Sequence, residues 1–312
     1  MKIRIGYLGI PHTLLENYHT MTYQKYINLK DKSQHELDKI ILSNLKTFNK
    51  TIEYNKKNKI MFYRMTHNLF PLATIKNIDY DYFKWHEKLK QIGRKIEKYK
   101  MRIDAHPDHF CVLSTNKKDV LENSIRIIKH HYDIFEMLGI DGKIVLHIGS
   151  KFPTKEEAIK RFMINFLNLD KKLQKMIILE NDDHLYTVSE TLKICEALNI
   201  PMVLDYHHFK CHHEKKEKLD KLLPKIISTW NNEKNSPKMH FSTPKSKKEK
   251  RTHHFYLDYH SFLKFINLLS LTKTDIDIML ESKGKDESLF KLLRQIDFYK
   301  PFKLKKNEIY LD

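Results

Sequence analysis

Seven strand-like runs in this chain each lead straight into a side chain of the kind that binds metal or phosphate. Arg64 follows residues 60–63, His106 follows 101–105, His147 follows 143–146 and Glu180 follows 176–179. Asp205 follows 201–204, His240 follows 238–239 and Glu281 follows 275–280. Imidazoles and carboxylates together are a donor set for divalent ions such as Mn²⁺ or Zn²⁺. Glu180 closes an apolar run, where a carboxylate is costly unless a cation or hydrogen bonds compensate it. Metal ligation is therefore expected of Glu180, with Asn181 and Asp182 ordering its surroundings and Asp182 and Asp183 acting as caps. Asp205 and His208, three residues apart, pair a strand-end carboxylate with an imidazole in the following loop. His207 is the weaker candidate, and His212 and His213 are expected to face solvent.

Two of these segments also carry lysines that bear on the choice of substrate. Lys238 and His240 lie two apart, on one face of a strand. A lysine buried among metal ligands either loses its proton and carries a carboxylate adduct, or stays an ammonium that grips phosphate; the residues alone leave both open. Lys283 and Lys285 follow Glu281, which suits a phosphodiester whose flanking phosphates need cations. The run K-S-K-K-E-K-R at 245–251 puts Lys245, Lys247 and Lys248 directly after a strand, either as a solvated charge run or as a contact to a phosphate backbone.

The elements that must position these groups alternate along the chain. Residues 3–8 open a set of eight strand-like runs. Helical patterns at 34–55, 80–98, 117–137, 155–170, 188–198, 215–230, 259–269 and 287–298 separate and follow them. Such alternation predicts βαβ units and a parallel sheet. Eight units in 312 residues without a Pro/Gly/Ser-rich linker fit one (β/α)₈ TIM barrel, spanning 1–312 as a single domain. In that fold the strand ends converge on the C-terminal mouth, so a metal cluster is expected there.

Composition narrows the setting. No apolar run approaches membrane-spanning length, and Pro11, His12 and Glu16 interrupt the opening apolar stretch before a signal-peptide core could form. Three scattered cysteines, Cys111, Cys195 and Cys211, offer no disulfide framework, so a reducing, cytoplasmic location is expected. The formal charge of +18 fits a polyanionic partner, although a bias towards Lys, Asn and Ile codons would produce the same excess.

Taken together, the motifs resemble the UV damage endonuclease family over nearly the whole chain. They are R-I-G-Y at 4–7, Y-R-M-T-H-N-L-F-P-L at 63–72, H-P at 106–107, L-H-I-G at 146–149, E-N-D-D at 180–183 and D-Y-H-H at 205–208. K-M-H-F-S-T-P at 238–244, the segment 253–258 and M-L-E-S-K at 279–283 complete them. The resemblance implies a TIM barrel holding up to three divalent ions, usually Mn²⁺, with Zn²⁺ or Mg²⁺ as alternatives, and an activity that nicks damaged double-stranded DNA 5′ to photoproducts. It further implies His106, His147, Glu180, Asp205, His208, His240, His253 and Glu281 as ligands, with Asn68, or else His67, adding one more. His253 is preferred to His254 by its spacing from Phe262. Lys238 would be the lysine that the family can carboxylate, and Tyr7 a positioning group beside it. His109 and Phe110 would probe the lesion, and Arg64, Lys283, Lys245, Lys247 and Lys248 would hold DNA.

Two departures bear on lesion preference. H-P-D-H-F stands at 106–110 where the family has H-P-G-Q-aromatic, and the stretch after Tyr7 lacks the family's asparagine. The competing expectations are an apurinic endonuclease or a sugar isomerase on a related metal barrel, or an inactive DNA-binding barrel. The expected working form is a monomer.

Overall fold

A computed structural model describes residues 1–78, 80–108 and 110–311. Strand β1 (Lys2–Leu8) is followed by a short helix α1 (Tyr23–Asn28) and the long α2 (Ser33–Lys57). Then come β2 (Phe62–Arg64), α3 (His86–Tyr99), β3 (Arg102–Asp104), α4 (Lys118–Leu138) and β4 (Ile144–Leu146). The second half runs through α5 (Lys155–Leu167), α6 (Lys171–Met176), β5 (Ile177–Glu180), α7 (Val188–Leu198), β6 (Met202–Asp205) and α8 (Tyr206–Cys211). It ends with α9 (Leu219–Ser228), β7 (Lys238–Phe241), α10 (Tyr259–Ser270), β8 (Ile276–Leu280), α11 (Lys285–Tyr299) and the short strands β9 (Lys303–Lys305) and β10 (Glu308–Tyr310).

The first eight strands pair in parallel in the order β3-β2-β1-β8-β7-β6-β5-β4. A parallel bridge between Ala105 and Ile144, with Ala105 N–H donating to Lys143 O at 2.9 Å and Val145 N–H to Ala105 O at 3.0 Å, closes the ring. The expected TIM barrel is thus present, with its helices outside.

Strand alternation decides which side chains face the site. On β1, Ile3, Ile5 and Tyr7 join the core that includes Leu37, Leu45 and Phe48 of α2. Arg4 turns the other way and meets Asp277 of β8. Asp277 in turn meets Arg102 of β3, two strands beyond its neighbour β1, so this contact crosses the barrel interior. Gly6 is forced by close approach: a Cβ there would lie 2.2 Å from the Phe62 carbonyl oxygen of β2.

Local chemistry explains several boundaries. Thr154, Thr187 and Asp258 cap α5, α7 and α10, Thr187 through a reciprocal capping box with Glu190. Asp205 accepts from His208 N–H and so caps α8, a helix the sequence patterns did not suggest. Neither was the hairpin of β9 and β10 expected, whose turn residues Lys306 and Asn307 have φ of 52° and 62°. Positive φ at both central positions makes a tight hairpin turn, here without the glycine that usually announces one. Strand β10 then pairs antiparallel with β1, Ile3 opposite Ile309.

Candidate metal centre

Glu180, at the end of β5 and 1% exposed, is the hub of the mouth. Its Oε1 lies 2.8 Å from His240 Nδ1 and 3.4 Å from His208 Nδ1, and its Oε2 lies 3.0 Å from His106 Nε2 and 3.5 Å from His147 Nε2. Four imidazoles from four loops or strands therefore surround one carboxylate. Glu281 joins from β8, 3.1 Å from His240 Nδ1 and 3.9 Å from His253 Nδ1. Asp205 completes the set, 3.8 Å from His208 Nδ1. Two overlapping groups each offer donor atoms within 4.8 Å of one another: His106, His147 and Glu180, and Glu180, Asp205 and His240.

The environment of these groups fits divalent ions. Asp205 Oδ2 and His240 Nε2 are fully buried and make no hydrogen bond, an expensive state for groups that a cation would satisfy. Burial, with the charges of Asp205 and Glu281 nearby, pushes Glu180 well above the usual carboxylate range. Burial would raise Glu281 as well, but Arg64 and the imidazoles of His240, His253 and His106 outweigh it and hold Glu281 well below that range. Burial drives His240 and His106 well below the ordinary imidazole value and lowers His147. A neutral imidazole is the metal-binding form.

The supporting shell is built into the same strands. Asn181 fixes Asp205 through both backbone groups, accepting from its N–H at 2.9 Å and donating to its carbonyl at 3.1 Å. Asn181 O receives His208 Nδ1 at 2.9 Å, which orients that ring. Asp182 and Asp183 are not the helix caps expected, since Thr187 caps α7; Asp182 instead folds the preceding loop, accepting from Leu185 N–H, from His184 N–H at 2.9 Å and from Tyr186 N–H at 3.0 Å, and Asp183 lies 3.6 Å from Arg251. Of the paired histidines, His208 turns to the carboxylates, whereas His207 faces Cys211 Sγ at 3.8 Å. Likewise His253 turns to Glu281, while His254 Nδ1 accepts from Tyr256 N–H at 3.0 Å.

Lys238 sits beneath this cluster, fully buried, with Nζ 3.3 Å from Asp104 Oδ2 and 5.7 Å from the centre of the Phe62 ring. The contact to Asp104 is a charge pairing without a well-formed hydrogen bond. Burial pushes the amine down to about 8 despite that carboxylate. Asp104 itself escaped the sequence reading, although its place two residues before His106 puts it on the same strand face.

Two expected site residues, Tyr7 and Asn68, stand elsewhere. Tyr7 is turned away from the cluster because strand alternation points it at α2, where its hydroxyl donates to Asn55 Oδ1 at 2.6 Å. Asn68 does not line the mouth. His67 does, with Nε2 3.5 Å from Asp108 Oδ2, so of that pair the histidine faces the site. Arg64 is at the mouth but spends its guanidinium on Glu281. Lys283, Lys245, Lys247 and Lys248 are exposed on the loops after β8 and β7, and Lys245 pairs with Glu249 at 2.8 Å. Phe110 is 68% exposed rather than part of the core. His109 lies outside the described residues.

Among the described residues no helix is long and apolar enough to cross a membrane. The chain is 36% identical over 302 residues to a UV DNA damage endonuclease of Bacillus cereus, covering 95% of each protein. Its structure superposes on the crystal structure of SacUVDE with a TM-score of 0.86 at 29% identity, covering 96% of this chain and 99% of the other. Endonuclease IV of Thermus thermophilus shares the fold alone, with a TM-score of 0.56 at 12% identity. The sequence pattern of the UV-endonuclease UvdE family matches residues 3–309, and this chain belongs to that family.

Proposed function

We propose that this chain is a metal-dependent DNA repair endonuclease that opens the phosphodiester backbone 5′ to UV photoproducts, cyclobutane dimers and 6-4 photoproducts, and at abasic sites. The observation that carries this reading is the convergence of His106, His147, Glu180, Asp205, His208, His240, His253 and Glu281 at one barrel mouth, with buried donor atoms left unsatisfied. These residues would hold up to three divalent ions, with Mn²⁺ favoured by the mixed nitrogen and oxygen donors and Zn²⁺ or Mg²⁺ as alternatives. Bound there, such ions supply an activated water and neutralise the charge on the phosphate and the leaving oxygen.

The side chains divide the remaining work. Glu180 and Glu281 would fix the cluster together, their Oε1 atoms meeting the same nitrogen, His240 Nδ1, at 2.8 and 3.1 Å. Asp205 holds its free oxygen towards the same space because Asn181 and the start of α8 use its other groups. Lys238 anchors the floor of the cluster against Asp104. Exposed Lys283, Lys245, Lys247 and Lys248 would contact phosphates along the duplex, and Phe110 would press on the base stack at the lesion.

One nicking experiment tests the activity. Irradiated, abasic and untreated supercoiled plasmids are incubated with the protein, with and without Mn²⁺. Nicking of irradiated plasmid that needs the metal is expected; nicking of abasic plasmid alone would make it an apurinic endonuclease, and no nicking would leave a binding protein. Elemental analysis of active protein is expected to find more than one transition-metal equivalent, because eight donor residues exceed what one four- to six-coordinate ion uses. One equivalent or none in active protein would remove the cluster.

A further inference from the structure

We propose that His207 is a positioning residue for the metal ligand His253, its buried ring setting the direction in which the His253 imidazole points; this rests on the metal-dependent reading above. The eight donor residues are not equally supported. His106, His147, Glu180, Asp205, His240 and Glu281 stand at or just beyond the ends of barrel strands, where the ladder fixes the backbone. His208 belongs to α8, which begins directly after β6. His253 has neither kind of support. It stands at the foot of the loop after β7, whose residues 245–251 are all exposed. A single bridge to Pro244 and a hydrogen bond from Lys245 N–H to Thr252 O at 2.7 Å close that foot. Its Nδ1 lies 3.9 Å from Glu281 Oε2, beyond the reach of a hydrogen bond that could orient the ring.

His207 supplies the missing contact. The two imidazoles meet edge to face, with ring centres 5.3 Å apart and planes at 89°. Such contacts between aromatic rings are directional, so this one sets the tilt of the His253 ring as well as its distance. His207 is 2% exposed and is itself held, with Nε2 3.8 Å from Cys211 Sγ one turn further along α8. Its ring also meets the Arg251 backbone carbonyl.

The rest of α8 grips the same stretch of chain. The Cys211 thiol donates to the Lys250 carbonyl at 3.4 Å, so the helix holds the loop at Lys250, Arg251 and His253. Asp205 caps this helix and His208 lies on it. One short element therefore ties a ligand from the β7 loop to two ligands of its own segment. The adjacent histidines divide the work: His208 turns to the carboxylates, and His207 turns sideways to hold His253. Groups that orient a metal-binding imidazole change metal affinity by about ten- to a hundredfold when they are removed.

The test titrates Mn²⁺ into metal-stripped protein by calorimetry, with thermal melting of the stripped proteins in parallel. The parent is compared with His207→Ala, His207→Phe, His253→Ala and the double variant His207→Ala, His253→Ala. His207→Ala is expected to weaken the binding of one ion roughly tenfold or more. His207→Phe keeps a ring against His253 and should bind close to the parent. In the His253→Ala background, His207→Ala should weaken binding no further, because its effect passes through that ring. If stripped His207→Ala is unfolded at the titration temperature, His207→Leu, which fills the space without an aromatic edge, takes its place under the same criteria. Parent-like binding by His207→Ala, or an equal loss with and without His253, would overturn the positioning role and leave the metal reading standing. So would a His207→Phe variant as weak as His207→Ala. A parent that binds no Mn²⁺ would overturn the metal reading, and the positioning role with it.

Discussion

The floor and the mouth of this barrel are both buried and both full of charge, yet they resolve it in opposite ways. On the floor, Arg4 Nε donates to Asp277 Oδ1 at 2.8 Å, Arg102 Nη1 donates to Asp277 Oδ2 at 2.8 Å, and Arg102 Nε donates to Asp104 Oδ2 at 3.2 Å. Cations and carboxylates alternate there, and among the described residues of this network Arg102 Nη2 and the Lys238 Nζ that faces Asp104 are left without a hydrogen bond. Arg102 also lies 5.4 Å over Trp230, which with Val145, Ile178 and Val203 forms an apolar cluster of its own. Burial would raise Asp104, but Arg102 and Lys238 outweigh it and hold the carboxyl below its ordinary value. At the mouth three carboxylates share a space with His240 and His106, whose imidazoles burial holds well below their ordinary value, and Asp205 Oδ2 and His240 Nε2 are left bare. The floor pairs each carboxylate with a cation of its own chain; the mouth leaves buried donor atoms that cations from outside could satisfy. The difference separates a structural ion network from a site.

If the comparison holds, damage to the two regions has different consequences. At the mouth, Glu180→Gln and Glu281→Gln are each expected to reduce incision on the order of ten-thousandfold, because each removes a carboxylate from the cluster proposed to hold the ions. Duplex binding should survive, since the exposed lysines proposed to carry it, Lys283, Lys245, Lys247 and Lys248, keep their charge in both variants. Single-turnover nicking beside a binding titration checks both halves. Substantial nicking by either variant would make that carboxylate structural and erase the distinction.

On the floor, Asp277→Asn should act on stability instead. It leaves Arg4 and Arg102 without their shared anion, and breaking a buried pair in this way costs roughly 3–5 kcal/mol. Urea unfolding reads the loss directly, and metal content per folded molecule should stay at the parent's value. A variant that unfolds like the parent but loses metal would show that the floor belongs to the site.

What the sequence reveals follows the same division. His106, His147, Glu180, Asp205, His240 and Glu281 each end a strand-like run, where a costly residue in a costly place is visible without a structure, whereas His208 and His253 lie in loops and are legible only from a neighbouring carboxylate or from the family resemblance. The floor is harder to see. Arg4, Arg102, Asp104 and Asp277 sit inside strands, where they read as breaks in the apolar pattern, and only closing the ring brings β3 opposite β8. Tyr7 shows the reverse error, for a residue at a strand end near the mouth can still point outward, as alternation from Ile3 and Ile5 indicates. Short pieces such as α8 and the β9–β10 hairpin escape because a single turn of helix or a three-residue strand shows no periodicity.

A third buried group offers a finer test, because it handles charge by having none. His131 on α4 is 3% exposed, its Nδ1 2.8 Å from the Ile127 carbonyl, and its neighbour His130 meets the Tyr82 hydroxyl. Burial pushes His131 down to about 4 and His130 well below its ordinary value. A folded value below the unfolded one means that the unfolded chain takes up protons the native protein cannot. Stability from His131 is therefore complete above about pH 6.5 and is lost as pH falls towards 4, by about 3 kcal/mol in all. His131→Gln should flatten that acid limb while barely changing metal content, since the residue lies outside the cluster. Urea unfolding at pH 7.5, 6 and 5 with metal held saturating separates this loss from protonation of the mouth histidines, which bound ions would oppose. Equal acid slopes in parent and variant would assign the whole pH dependence to the mouth, and the contrast between a region that needs cations and regions that do not would then extend to acid stability as well.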